Sequence, residues 1–311
     1  MIKNNTVIIL VNYNGFDDTR NCIKSIKQSI GELPFIVIVD NASKDLDKLE
    51  LLKTDYELLK IIYNEENIGF GKANNIGVDW ALKNLETNYI FLLNNDTVVE
   101  QDSIEKLIDN FPSDAETILA TPKILTYEEK PRIWYGGGYF NFFKMSVNIN
   151  KVGQNNHKLK SKYVDFASGC ALFFKTEYLK SYEIFDSAFF MYDEDVELCL
   201  NLKKEKKKIY FINESIIFHK CQGSQKESTR KEINQLHPKN PNLKFYLSLT
   251  IPNRFYIIDK HFTSYDKHKR KITLSVYWFS KAVQYLIYGN LEMAFLTIKI
   301  VFKSLNIKLS K

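Results

Sequence analysis

Three nearly unbroken apolar runs decide the fold class: residues 7–12 (VIILVN), 35–40 (FIVIVD) and 89–93 (YIFLL). Continuous apolar character, rather than strict alternation with polar residues, is typical of a strand that is buried on both faces. Helical patterns lie between these runs, at residues 17–30 and 71–85. Because buried strands alternate with helices, the sequence predicts an α/β fold with a Rossmann-like, mostly parallel sheet flanked by helices.

The composition is that of a globular protein, since 45% of the 311 residues are hydrophobic and 26% are charged. This length accommodates one large domain, or one domain with an extension. The four cysteines follow no zinc or redox pattern, and the first apolar run has no signal-peptide cleavage site. We therefore expect a reduced, cytoplasmic protein.

The charge is distributed unevenly along the chain. Residues 201–311 contain 22 of the 43 Lys and Arg residues but only 7 of the 37 Asp and Glu residues. Such a basic segment suits an anionic partner, and nucleic acid and a membrane surface are the two candidates. Nucleic acid is disfavoured, because no recognition motif is present and the acidic remainder of the chain would repel phosphates. Ordinary solvated surface explains the lysines equally well.

Polar side chains follow the strongly apolar runs. In open parallel sheets, ligands bind beyond the carboxyl ends of the strands. Tyr13 is suited to stacking on a base, Asp40 to accepting a hydrogen bond from a base or ribose, and Asp96 to binding a hard divalent cation. A turn explains each residue taken alone, and for Asp40 a turn before the next helix is an equal alternative. Their convergence on one edge favours a binding site.

Three further segments carry polar groups of interest. Residues 67–77 (NIGFGKANNIG) form a glycine-punctuated helix entry, which is a weak indication of an anion site. The acidic residues 193–195 (DED) follow an aromatic stretch. They could supply a general base or stabilise a helix N-terminus, and the two interpretations are compatible. His219 ends another apolar run, and a lone histidine is more often structural than a ligand.

In this order and spacing, the segments resemble glycosyltransferase family 2, especially its bacterial rhamnosyltransferase-like members with a GT-A fold. The resemblance covers about residues 5–225. The segments that carry it are VIILVNYNG, IVIVDNASKD, NIGFGKANNIG, YIFLLNNDTVV, FASGCALFF, FFMYDEDVELCL and HKCQGS.

The resemblance implies a nucleotide-sugar donor, a divalent cation (Mg²⁺ or Mn²⁺) and a glycan or lipid-linked saccharide as acceptor in polysaccharide biosynthesis. It implies an inverting transfer in which Asp195 is the catalytic base, Glu194 orients it or the acceptor, and Asp193 is a rival base. It implies a metal site at Asp96 and His219. The residues implied for the nucleotide sugar are Val11, Tyr13, Asp40, Asn67, Gly71, Asn75, Asn95 and Asp96, and those for the acceptor side are Ser168, Gly169 and Cys170.

The chain departs from the family pattern at Asp193, where an apolar or aromatic residue is usual. By subfamily likeness the first expectation for the donor is dTDP-rhamnose, which carries L-rhamnose, and otherwise a UDP-hexose. The alternative is a non-catalytic protein of the same fold that binds nucleotide sugars or glycans. A nucleotidyltransferase is disfavoured, because residues 12–16 lack a glycine-rich basic loop.

The domain prediction is a GT-A domain at residues 1–225 and a basic helical extension at 226–311. Within the extension, residues 272–289 and 291–305 indicate amphipathic helices with basic faces, too short and too charged to span a bilayer. They suit an anionic membrane surface, which would place the protein peripherally on the inner face of the cytoplasmic membrane. The equal alternatives are packing on the catalytic domain and a homodimer interface.

Overall fold

A computed structural model of the protein describes residues 2–3, 5–29, 31–155, 159–179, 183–220 and 236–305. Cys221 and the predicted boundary at 225/226 lie outside these residues. By its internal contacts the chain divides into two compact units. The first unit comprises Met1–Tyr139, Asn148–Phe190 and Glu194–Lys226, and the second comprises Phe140–Val147, Met191–Asp193 and Glu227–Lys311.

The elements follow one another in an order that begins with strand–helix alternation. The strands are β1 (Ile2–Lys3), β2 (Thr6–Asn12), β3 (Phe35–Asp40), β4 (Leu59–Tyr63), β5 (Leu85–Glu86), β6 (Tyr89–Asn94), β7 (Thr97–Val99), β8 (Thr117–Thr126), β9 (Ile133–Tyr135), β10 (Gly138–Asn141), β11 (Ser146–Ile149), β12 (Lys162–Val164), β13 (Ala171–Lys175) and β14 (Lys208–His219). The helices are α1 (Phe16–Ser29), α2 (Leu46–Glu50), α3 (Leu52–Asp55), α4 (Phe70–Asn84), α5 (Ser103–Asp109), α6 (Thr176–Leu179), α7 (Glu194–Lys204), α8 (Leu243–His261), α9 (Ser264–Ile287) and α10 (Leu291–Leu305).

The first unit is built on one large sheet with the strand order β12-β14-β8-β13-β6-β2-β3-β4. Strands β6, β2 and β3 are parallel to one another, as the apolar runs predict, and β4 is parallel to β3. Strand β13 is antiparallel to both β6 and β8, and β14 runs parallel to β8. The predicted α/β fold with a mostly parallel sheet is therefore confirmed.

Helix α4 packs very closely on the parallel half of the sheet. A Cβ atom at Gly77 would lie 2.5 Å from Cγ2 of Ile9 on β2 and 3.1 Å from Cγ2 of Val39 on β3. Only a residue without a side chain permits this approach of helix to sheet, since packed cores leave no room for an added methyl group. The glycine thus sets how closely α4 packs on β2 and β3.

The described cysteines of the first unit are buried and form no disulfide with one another: Cys22, Cys170 and Cys199. Burial raises the pKa of the Cys22 thiol to about 12, against the lowering effect of its contact with Thr97. At neutral pH this thiol is protonated and behaves as a small apolar side chain.

The second unit contains the long helices α8, α9 and α10, which confirms the predicted helical extension. Its central polar contact is the buried ion pair between Arg254 and Asp193, with Nε and Oδ2 3.4 Å apart. The Arg254 guanidinium also lies 5.6 Å from the centre of the buried Trp278 ring. Among the described residues, no helix is long and apolar enough to cross a bilayer.

Candidate active site

Hydrogen bonds tie together the carboxyl ends of β2, β3 and β6. Asn12 Nδ2 donates to Asp40 Oδ1 at 2.7 Å, and the Thr19 hydroxyl donates to Asn12 Oδ1 at 2.8 Å. Asn95 Nδ2, just beyond β6, donates to the Thr19 hydroxyl oxygen at 2.8 Å. The three strand ends that the sequence singled out are therefore neighbours. Asn12 and Thr19, to which sequence reasoning assigned no role, are the residues that connect them.

Asp40 lies in the interior of this network. Its side chain is fully buried, and both oxygens are engaged: Oδ1 by Asn12 and by the Ser43 hydroxyl at 2.6 Å, and Oδ2 by the Ser43 backbone N–H at 2.9 Å. These contacts form a turn after β3, which the sequence analysis gave as the alternative to a contact between Asp40 and a base or ribose. Tyr13, by contrast, is 42% exposed, and its ring is available for stacking.

Asp96 and His219 meet at the end of β6, with Oδ1 and Nε2 3.2 Å apart and both side chains about nine-tenths buried. Burial alone would raise the pKa of Asp96, but the hydrogen bond and positive charge of His219 reverse the effect and lower it. The Trp134 ring packs edge-on against His219, with centroids 4.7 Å apart. Asp96 therefore favours its charged form, beside an imidazole whose position is restrained.

Lys220 adds a positive charge beside this pair. Its backbone N–H donates to the Asp96 carbonyl at 3.0 Å, and its ammonium group donates to Asp18 on α1 at 2.8 Å. Sequence reasoning overlooked Lys220, Asp18 and Trp134. Lys220 directly follows His219 and could have been noticed for that reason. Asp18 and Trp134 are distant in sequence, and only the fold brings them to Asp96, His219 and Lys220.

The donor atoms at Asp96 and His219 fit a divalent cation of the Mn²⁺ type, which accepts carboxylate oxygen together with imidazole nitrogen. Asn94 Oδ1, two residues before Asp96, is buried and has no hydrogen-bond partner in the described structure, so it is a further oxygen of suitable chemistry. The described residues contain no group of three or more His, Cys, Asp or Glu side chains placed to hold a metal. Asp96 and His219 alone would leave most coordination positions to a substrate and water.

Asp195, in the first turn of α7, is held by backbone N–H groups. Gly169 N–H donates to Oδ2 at 2.9 Å, and Val196 N–H donates to Oδ1 at 2.8 Å. The loop lies directly against α7 here, since a Cβ at Gly169 would be in ordinary van der Waals contact with Asp195 Cβ, at 3.5 Å.

The residues predicted for the acceptor side belong to the same loop. Ser168 is buried, and its hydroxyl oxygen accepts a hydrogen bond from Cys170 N–H at 3.3 Å. The Cys170 carbonyl accepts a hydrogen bond from Asn94 N–H at 2.9 Å. The loop thus connects the end of β6 with Asp195, and the contact of these residues with an acceptor stays a prediction.

The neighbouring acids occupy different surroundings from Asp195. Asp193 is buried and paired with Arg254 inside the second unit. Burial lowers the pKa of Arg254, but the Asp193 carboxylate raises it and determines the net direction. Because its carboxylate is committed to a buried guanidinium, the geometry disfavours Asp193 as the rival base. Glu194 is buried at the first position of α7.

The glycine-punctuated segment before α4 packs against residues 183–190. The Phe70 N–H, at the start of α4, donates to the Phe190 carbonyl at 2.9 Å, and a Cβ at Gly69 would collide with that carbonyl. A Cβ at Gly71 would lie 2.9 Å from Phe185 Cβ. Asn75 bonds both the N–H and the carbonyl of Phe185. These glycines serve chain packing, and the Phe70 N–H is not available to an anion.

Two other residues that were predicted to bind the nucleotide sugar, Asn67 and Val11, lie in or beside this region. Asn67 Oδ1 accepts hydrogen bonds from Asn41 Nδ2 at 2.7 Å and from Gly69 N–H at 3.0 Å. Val11, on β2, is partly exposed beside the buried β3. Asn67 therefore shapes the loop, while Val11 and Tyr13 offer side-chain surface.

Solved structures share this fold at low sequence identity. The crystal structure of GalNAc-T7 with UDP, GalNAc and Mn²⁺ aligns with a TM-score of 0.60 and 18% identity, over 86% of this chain and 54% of that one. Residues 1–349 of TarS from S. aureus align with a TM-score of 0.52 and 14% identity, over 98% of this chain and 76% of that one. Both likenesses concern the fold alone.

Relatives are found among archaeal and bacterial proteins. The low-salt glycan biosynthesis hexosyltransferase Agl10 of Haloferax volcanii is 25% identical over 64% of this chain and 61% of its own. A glycosyltransferase of Rickettsia felis is 28% identical over 72% of this chain and 36% of its own. The rhamnosyltransferase WbbL of Escherichia coli K12 is 24% identical over 57% and 80%. The chain thus spans less than two thirds of the first two relatives.

The family model for Glycosyl transferase family 2 matches residues 7–180, which is more than half of the chain. The matched segment includes the whole Asn12–Asp40–Asn95 network, Asp96 and the loop that holds Asp195. The chain belongs to glycosyltransferase family 2.

Proposed function

We propose that the chain is an inverting, cation-dependent glycosyltransferase that moves a sugar from a nucleotide-sugar donor to a hydroxyl of a glycan or lipid-linked saccharide. One observation carries the proposal: a single loop bonds on one side to the end of β6 through Cys170 and on the other to Asp195 through Gly169. The candidate base Asp195 and the segment 94–96 at the end of β6 are therefore held in a fixed relation by this loop. Such a linkage holds an acid–base group in register with a donor site, as catalysis requires.

Asp195 is the group that accepts a proton from the acceptor hydroxyl. Hydrogen bonds from the N–H groups of Gly169 and Val196 restrict the direction of its carboxylate. As the proton moves to Asp195, the acceptor oxygen forms a bond to the anomeric carbon. The bond from that carbon to the nucleoside diphosphate breaks with its electron pair staying on the diphosphate. This single displacement inverts the anomeric centre and needs no second carboxylate as nucleophile.

The remaining residues would bind and orient the donor. A divalent cation held by Asp96 and His219 would neutralise negative charge on the leaving diphosphate. Tyr13 would stack on the base, with Val11 beside it, while Asp40, Asn67, Gly71 and Asn75 maintain the loops around it. Glu194 would orient the acceptor or Asp195.

The identity of the donor sugar is the most specific part of the proposal. L-Rhamnose from dTDP-rhamnose is the first candidate, supported by the likeness to WbbL, and a hexose from a UDP-sugar is the second, supported by the likeness to Agl10. Both relatives agree with a role in glycan biosynthesis. We place the protein in the cytoplasm, and its peripheral contact with the membrane is argued separately below.

A donor panel tests the proposal directly. Purified protein is mixed with dTDP-rhamnose or common UDP-sugars, with and without Mn²⁺ or Mg²⁺, and release of the nucleoside diphosphate is followed. We expect turnover with one donor and its loss in chelator, and NMR of the product should show inversion at the anomeric carbon. Thermal stabilisation by a donor without any turnover would instead identify a binding protein. Retention of the anomeric configuration would contradict the role of Asp195.

A further inference from the structure

Helix α9 carries a stripe of apolar side chains that face solvent. The stripe repeats at intervals of three, four and seven residues, which places its members on one side of an α-helix. Its members are Ile272, Val276, Val283, Leu286 and Ile287, all between 42% and 80% exposed. A surface helix ordinarily directs this stripe toward a core, but the core of the second unit is formed by the opposite side of α9, with Leu274, Trp278 and Tyr285.

Helix α10 extends the same surface. Leu291, Phe295 and Phe302 are between 57% and 67% exposed. The Phe302 ring lies 5.8 Å from the Phe279 ring of α9, so the two stripes are adjacent. We call these residues of α9 and α10, together with Phe279, the apolar face. Soluble monomers rarely expose a contiguous apolar patch of more than a few hundred Å², so this face requires an occupant.

Positive charge borders the apolar face. Lys299 and Lys303 follow Phe295 and Phe302 on α10 and are exposed. Residues 264–305 contain seven Lys and Arg residues but only two Asp and Glu residues. Lys267 and Lys271 are paired with Asp259. Among the described residues, no carboxylate forms an ion pair with Lys299 or Lys303, which leaves their charge for an external anion.

The lysines at the border distinguish between two possible occupants of the apolar face, a second copy of the chain and a lipid surface. A second copy of the chain would bring further lysines to the border of the shared apolar surface, with like-charge repulsion. Anionic headgroups would neutralise them. Tyr265 and Tyr288, at the two ends of α9, are 82% and 58% exposed, and tyrosine favours the boundary between apolar and aqueous phases. An apolar stripe bordered by lysines is typical of helices that lie in the bilayer interface.

We propose that the apolar face of α9 and α10 docks on a bilayer surface containing anionic phospholipid. Phe295, Phe302 and the α9 stripe enter the boundary between headgroups and acyl chains, and Lys299 and Lys303 lie against lipid phosphates. This inference concerns the second unit alone and does not depend on the proposed glycosyl transfer.

Vesicle co-sedimentation with the full chain tests the inference. We expect binding to vesicles of phosphatidylcholine with 30% phosphatidylglycerol, and much weaker binding to phosphatidylcholine alone. Lys299→Glu/Lys303→Glu should weaken binding by about tenfold or more, because it replaces attraction to the anionic headgroups by repulsion. Phe295→Ser/Phe302→Ser should weaken it similarly. Lys24→Glu/Lys83→Glu, with the same change of net charge on α1 and α4, is the matched control and should bind like the wild type.

Two further measurements keep the test decisive. Thermal unfolding and nucleotide-sugar binding should be unchanged in all three variants, because the substituted residues are exposed and lie outside the proposed active site. Light scattering follows the oligomeric state. Equal binding to neutral and anionic vesicles would overturn the proposal. A second result would also overturn it: the wild type forms a dimer, Phe295→Ser/Phe302→Ser dissociates that dimer, and no vesicle binding is seen. The apolar face would then be the interface with a second copy.

Discussion

The two units place polar and apolar side chains in opposite ways. In the first unit, amides and carboxylates are buried together at the carboxyl ends of β2, β3 and β6, where Asn12, Asp40 and Asn95 satisfy one another. In the second unit, the Asp193–Arg254 ion pair is buried, and α9 and α10 keep large apolar side chains at the surface. Organised buried polarity indicates chemistry, whereas exposed apolar area indicates association. Three substitutions test this division.

The largest effect is expected at Asp195 in the first unit. Asp195→Asn removes the proton acceptor but keeps a side chain of the same shape, so kcat should fall by about 10²–10⁴-fold. The dissociation constant for the donor and the unfolding temperature should change little. Asp165→Asn, at an exposed carboxylate paired with Lys203, is the matched control. Activity above one tenth of the wild-type value would remove Asp195 from the role of base.

The second effect concerns the ion pair of the second unit. Arg254→Met leaves the Asp193 carboxylate buried without its partner, and the free energy of unfolding should fall by about 3–5 kcal/mol. Urea denaturation measures this change. Lys244→Met, which breaks the exposed pair with Glu292, should cost less than about 1 kcal/mol. The double variant Arg254→Met/Asp193→Leu should recover most of the loss. No recovery would mean that packing of the guanidinium, rather than the charge of Asp193, causes the effect.

The smallest effect is expected from helix packing in the first unit. Gly77→Ala inserts a methyl group 2.5 Å from Ile9 Cγ2, which should lower the free energy of unfolding by about 1–3 kcal/mol. Gly31→Ala is the matched control, because no atom lies within 4 Å of its Cβ position. Chemical denaturation of both variants measures the difference. Equal stability of the two would show that α4 moves away from the sheet at little cost.

Strands β2, β3 and β6 could be predicted because they are apolar on both faces. Strand β8 could not, although all ten of its residues are buried, because Thr121 and Lys123 interrupt the apolar pattern. The Asp193–Arg254 pair joins residues 61 positions apart, and the sequence around Asp193 does not predict this partner. The contact of Gly169 with Asp195 is similarly non-local. The ordered motifs located the candidate site, but the assignment of Asp40 to a turn required the fold.

The closed network at the strand ends has an evolutionary consequence. Asn12, Thr19, Asp40, Ser43 and Asn95 meet one another's hydrogen-bonding needs, so the loops keep their shape without help from a ligand. Exposed neighbours such as Tyr13 can then be exchanged without disturbing that framework. Under the proposed function, single substitutions at such exposed positions would change the donor preference while the buried framework stays intact.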